Sequence, residues 1–170
     1  MRTTLIASCL TLITAHAAVS AATPPRATHV RALTPGAAAL VAQAAERAPA
    51  VRTMLGDLER TDLVVFVSDS MAGAAGEPDA YLTFVTRAAG IRYVLIRINR
   101  WRAFPSEPIA SLGHELQHAL EIAAAPEVAD AAGLSRLYRR IGWEEGRGQF
   151  ETRGARATGH RVRDQVAGVR

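Results

Sequence analysis

"ASLGHELQHALEIAAAP", residues 110–126, is an apolar run interrupted by polar side chains at set intervals. At 100° per residue, Ile109, Leu112, Leu116 and Leu120 share one stripe. Ser111, His114, His118 and Glu121 fall on the opposite stripe, with Glu115 at its flank. The spacing predicts an amphipathic helix, capped by Ser106, carrying Glu107 and Pro108 in its first turn and stopped by Pro126. A solvated surface helix would show the same two stripes, so the polar stripe has to be judged by its chemistry. Histidines at i and i+4 project from one face a turn apart, close enough for two imidazoles to share one tetrahedral Zn²⁺. A glutamate beside the first of them lies outside the ligand pair, where it can take a proton from a water the metal activates.

Catalytic zinc takes three protein ligands and leaves the fourth position open. The stretch "GQFETRGARATGHRVRDQVAG", residues 148–168, reads as a last helix from about Gln149 to Val166. On its wheel Glu151, Ala155, Thr158, Val162 and Val166 share an inward face, while Arg153, Arg156, His160 and Arg163 hold the other. An inward carboxylate without a partner is costly, and a metal would resolve that cost. Glu151 is therefore the preferred third ligand, with Glu144 and Glu145 in the preceding glycine-rich loop as rivals. Glu121 cannot turn to a metal already held by His114 and His118; it reads as a partner that fixes a histidine tautomer, or as solvated. His160 reads as a surface histidine. Tyr138 is a candidate to hydrogen-bond a developing oxyanion, or an ordinary core aromatic.

Around this pair of helices the chain alternates local signals. Thr34 reads as an N-cap with Pro35 at the first helical position and a helix to about Arg47. Pro49 starts or kinks a second helix, with Val51, Met54, Leu55 and Leu58 on one face. "DLVVFVSD" (62–69) reads as a buried strand and 70–79 as a loop. "AYLTFVTR" and "IRYVLIRIN", separated by Ala88, Ala89 and Gly90, read as a hairpin. Residues 101–105 are a connector, 134–142 a further helix, and Gly142, Gly146 and Gly148 mark a loop. The expected fold class is α+β: a small, mostly antiparallel sheet of about three strands packed on helices, in a single domain over 34–170.

The opening residues read differently. Arg2, an apolar run from Leu5 to about Ile13 and small-x-small sites at 15–17 and 19–21 predict a cleaved signal peptide over 1–22, followed by an extended lead-in over 23–33. The run is too short to span a bilayer, so a secreted or periplasmic protein without a transmembrane segment is expected. The only cysteine, Cys9, falls in that leader, which leaves His and carboxylates as metal ligands. All twenty basic residues are arginine and formal net charge is +4. The arginines crowd the last quarter, but without the aromatic interleaving of a base-stacking module, so no nucleic-acid partner is expected.

At "GHELQHALE" and the downstream "FETRGA" the chain is similar to the gluzincin branch of the zincin metallopeptidases, over about Leu63–Val166. Glu121 stands where metzincins carry glycine, and Phe150-Glu151 stands where well-known gluzincins have Asn-Glu. The resemblance implies a small twisted sheet on an active-site helix, with Zn²⁺ on His114, His118 and Glu151. It implies Glu115 as general base and then proton donor to the leaving amine. It also implies a peptide or protein substrate held as an extra strand along Tyr81–Arg87 or Ile91–Ile98. The alternative reading is a secreted domain that binds zinc or an anionic partner without hydrolysis.

Overall fold

The computed structural model describes residues 28–70, 78–100, 106–146 and 149–168. The leader with Cys9, the first part of the lead-in, most of the 70–79 loop and the 101–105 connector lie outside the described residues.

The chain runs β1 (Val30–Ala32), α1 (Pro35–Arg47), α2 (Pro49–Leu58), β2 (Leu63–Ser70), β3 (Ala80–Ala88), β4 (Ile91–Asn99), α3 (Glu107–Ala123), α4 (Ala131–Ile141), β5 (Trp143–Gly146), β6 (Gln149–Glu151) and α5 (Arg153–Ala167). It is an α+β fold. The main sheet has four strands in the order β1-β2-β4-β3. It is mixed, which corrects the expectation of about three mostly antiparallel strands. β1 and β4 both run parallel to β2, and only the β3–β4 hairpin is antiparallel. The reason lies in the connections. Two helices separate β1 from β2, and the β3–β4 hairpin brings β4, not β3, beside β2. Such long returns give parallel neighbours.

Alternation along the strands sets one face against the helices. Leu63, Val65 and Val67 of β2 and Val94, Ile96 and Ile98 of β4 are buried there, against Leu112, Leu116 and Ile122 of α3. α1 begins as expected: Thr34 Oγ1 accepts from Ala37 N at 3.1 Å and Pro35 follows it. Ser106 stands at the cap position of α3 but makes no side-chain capping bond, contrary to its expected role. α4 starts earlier than expected because the Asp130 carboxylate caps it, accepting from Gly133 N at 2.6 Å. α3 is not a surface helix. The sheet covers one side and α5 another, so closely that a Cβ on Gly113 would lie 2.6 Å from Val162 Cγ2. Among the described residues no helix is long and apolar enough to cross a membrane.

A buried arginine pins α3 to the sheet. Arg92 of β4 is 1% exposed, and its guanidinium donates to the carbonyls of Ile122 at 2.7 Å, Ala123 at 3.1 Å and Ala125 at 2.8 Å. These carbonyls lie at and just past the C-terminus of α3; those of Ile122 and Ala125 also accept from the backbone N–H of Ala125 and Val128, each at 3.0 Å. Asp62 balances the charge with two bonds at 3.0 and 2.5 Å. The Arg92 hydrogen bond, against some desolvation, holds the Asp62 carboxyl below its ordinary value. That contribution is therefore complete above the unfolded value near pH ~3.9 and is lost as pH falls through the lower folded one. Arg92→Met keeps the apolar stem and removes every donor. It is expected to lower unfolding stability by about 3 kcal/mol in chemical denaturation. Arg92→Lys should recover only part, because an ammonium cannot reproduce the planar fork. Wild-type stability in both variants would rule out this anchor.

Candidate metal centre

The histidines of α3 face a cleft of about 950 Å³ that β3, α3, α4, β6 and α5 enclose. The i, i+4 spacing places the His114 and His118 rings with centroids 4.9 Å apart and planes at 74°. Glu151 reaches the same point from the other side. Its Oε1 lies 3.6 Å from His114 Nε2 and 3.9 Å from His118 Nε2. One ligand atom from each residue falls within 4.8 Å of the others. A tetrahedral zinc with bonds of about 2.0–2.1 Å needs ligand atoms about 3.3–3.4 Å apart. The two spacings from Glu151 to the histidines, 3.6 and 3.9 Å, are close to that, and no pair of the three ligand atoms is more than 4.8 Å apart.

Glu151 corrects the sequence reading of its element. It does not open a helix; it ends β6, in a two-stranded hairpin with β5 where a glycine-rich loop was expected. α5 begins only after Thr152, whose hydroxyl accepts from Ala155 N at 3.0 Å. Ala155, Thr158, Val162 and Val166 are the buried residues of its inward face, as the wheel predicts. The rivals stand apart. Glu144 and Glu145 are exposed on β5, and Glu145 pairs with Arg156, whose guanidinium also lies over Trp143 at 5.0 Å.

Glu115, His118 and Glu151 are at most 8% exposed. Burial pushes the Glu115 carboxyl up to about 7, with Glu151 adding to the rise and His118 opposing it. Burial, then the neighbouring His118, pushes His114 down to about 4, so its imidazole is neutral and its lone pair free at neutral pH. For His118, burial works against the cation, but the bond to Glu121 and the charges of Glu115, Glu121 and Glu151 outweigh it and raise the ring. Two imidazoles and one carboxylate, from His114, His118 and Glu151, form a donor set that fits a divalent zinc.

The remaining candidates take definite places. Glu121 Oε2 lies 2.9 Å from His118 Nδ1, the contact that would fix the ring tautomer. Tyr138 is on the cleft wall, its ring edge-on to His118 at 5.1 Å and stacked on Phe150 at 6.0 Å. Its hydroxyl donates to the His118 carbonyl at 3.3 Å, which engages it as a brace of α3. His160 is exposed at the cleft and accepts from Arg163 at 3.2 Å, while Arg163 is held by Glu107 at 3.0 and 2.9 Å. Sequence reasoning passed over Thr152 and Phe150. A threonine just before an alanine-rich helix was a cap signal available for the first; nothing local marked the second.

Comparison with protein-family models, with curated proteins and with solved structures returns no match for this chain. The functional reading therefore rests on the site itself.

Proposed function

We propose that this chain is a zinc-dependent peptidase of the zincin type, gluzincin-like in its ligand set, acting outside the cytoplasm. The observation that carries the reading is the convergence of His114, His118 and Glu151, from two separate elements, beside the buried Glu115. When bound, zinc polarises a carbonyl and lowers the pKa of water. His114, His118 and Glu151 would hold it. Glu115 receives the proton of the attacking water and returns it to the leaving amine, and burial suits it to both roles by bringing its pKa towards neutrality.

Of the two hairpin strands, β3 is the outer one; its residues 80–84, with Pro78 and Asp79 before it, line the cleft. An extended peptide added to that edge, which no strand pairs among the described residues, would pass over Glu115 with its backbone groups paired. α5 adds charge to the cleft wall, Arg163 against Glu107 and Arg156 against Glu151, while Phe84, Leu134, Tyr138 and Phe150 add apolar lining.

Purified protein should carry about one zinc per chain, lost on His114→Ala or His118→Ala. It should cleave members of a broad peptide library, stop when zinc is chelated, and resume when zinc is returned. A chain that binds no zinc would sink the reading. One that is fully loaded and cleaves nothing is instead a zinc-binding domain without hydrolytic activity.

A further inference from the structure

The Thr152 hydroxyl makes two bonds at once. It accepts from Ala155 N at 3.0 Å, capping α5, and donates to Glu121 Oε1 at 2.7 Å. The other oxygen of Glu121 meets His118 Nδ1 at 2.9 Å. An ionised carboxylate only accepts, so Nδ1 carries a ring proton, and in the neutral ring Nε2 is the nitrogen with the lone pair, on the Glu151 side. The backbone N–H of Thr152 meanwhile donates to Glu151 Oε1 at 2.7 Å, the oxygen that faces both histidines. One residue, 3% exposed, thus touches the partner of one candidate ligand and the carboxylate of another.

From this geometry we infer that Thr152 is a positioning residue of the metal centre. It sets, through Glu121, where the His118 ring stands, and through its backbone where Glu151 meets it. The inference rests on the metal-binding reading above and not on hydrolysis. A cap alone would need only the bond to Ala155. The second bond crosses to α3 and fixes the distance between the helix that bears two ligands and the strand end that bears the third.

The close approach at Gly154 says the same. A Cβ there would lie 2.9 Å from Glu121 Oε1, so the carboxylate rests against the first turn of α5. That is the positive end of the helix. A side chain at 154 would displace the same Glu121 oxygen that accepts from the Thr152 hydroxyl, without changing residue 152 itself.

The molecule contains its own control. Thr34 caps α1 by accepting from Ala37 N at 3.1 Å, and its hydroxyl also donates to a carboxylate, Asp69. Neither Thr34 nor Asp69 lines the cleft. The two threonines share a local chemistry, and only one of them touches the candidate ligands.

The test is zinc affinity, measured by competition with a chromophoric chelator on the full chain, with apo melting temperatures alongside. Thr152→Val should weaken affinity by roughly 10–100-fold, the range for partners behind a metal ligand, and Thr152→Ser should restore it. Thr34→Val should lower the melting temperature and leave affinity unchanged. Gly154→Ala should weaken affinity although alanine favours the helix. In combination with Glu121→Gln, Thr152→Val should cost less than the sum of the two, because they act on one partner. The inference is overturned if Thr152→Val binds zinc like wild type, if serine does no better than valine, or if Thr34→Val weakens binding equally. Should Thr152→Val fail to fold, Gly154→Ala decides, and unchanged affinity there overturns it. A wild type that binds no zinc overturns the metal reading together with this one; a wild type that binds it, with no effect at 152 or 154, overturns this one alone.

Discussion

Glu115→Gln is expected to lower the hydrolytic rate by roughly 10²–10⁴-fold, about 3–5 kcal/mol of transition-state stabilisation, with zinc content unchanged. The carboxylate sits beside His114 on α3 yet outside the three-atom ligand group. The amide keeps its shape and removes its basicity. Because Glu115 is only 5% exposed and burial pushes its carboxyl up to about 7, the neutral amide should be accommodated without loss of melting temperature. A bound cation would draw that value back down. The base works deprotonated, so the rate of the wild type should fall as pH drops through its ionisation, on an acid limb. That limb should vanish in Glu115→Gln. The measurement is turnover of a peptide the wild type cleaves, with metal analysis of the same sample. Intact turnover would mean that H-E-x-x-H is not the catalytic element here.

The parts of this molecule that could be read beforehand are those with local causes. β2 and the β3–β4 hairpin fall within a residue or so of the expected spans, because β-branched runs and the Ala89–Gly90 turn are local signals; both turn residues have positive φ. α3 likewise follows from its apolar spacing and the proline beyond it. β1 escaped because three residues, Val30–Ala32, carry no period and become a strand only by pairing with Val65–Val67. The β5–β6 hairpin escaped for a related reason. Its glycines suggest a loop, and what braces it is distant in sequence: Arg156 on Glu145, and Phe150 stacked on Tyr138. At the site, the histidine pair is written in a spacing of four. Glu151 was singled out by the cost of burying a lone carboxylate, an argument that concerns its surroundings and not its element. It survived the replacement of a helix by a strand end. The link from Glu121 to Thr152 joins α3 to the start of α5, and no pattern along the chain announces it.

Glu151→Ala is expected to lower zinc affinity well beyond the roughly 10–100-fold that a partner behind a ligand costs, because it removes a ligand itself. Two histidines on one helix would remain, and water would have to take the place of a charged donor. Glu144→Ala and Glu145→Ala alter exposed side chains of β5 and should leave affinity within a few-fold of wild type, even though the second releases Arg156. The same substitution should have the opposite sign in chelator. There Glu151 is a buried carboxylate that raises the Glu115 carboxyl further, relieved by the Thr152 N–H at 2.7 Å, by Arg156 at 3.7 Å and by the His118 ring at 3.9 Å. Removing it should leave the melting temperature of the chelated protein unchanged or higher, while that of the zinc-loaded protein falls. A residue kept for the fold would lower both. If Glu151→Ala retains full affinity and a substitution at 144 or 145 abolishes it, the β5–β6 hairpin presents a different glutamate to the metal, and the ligand set proposed here is wrong.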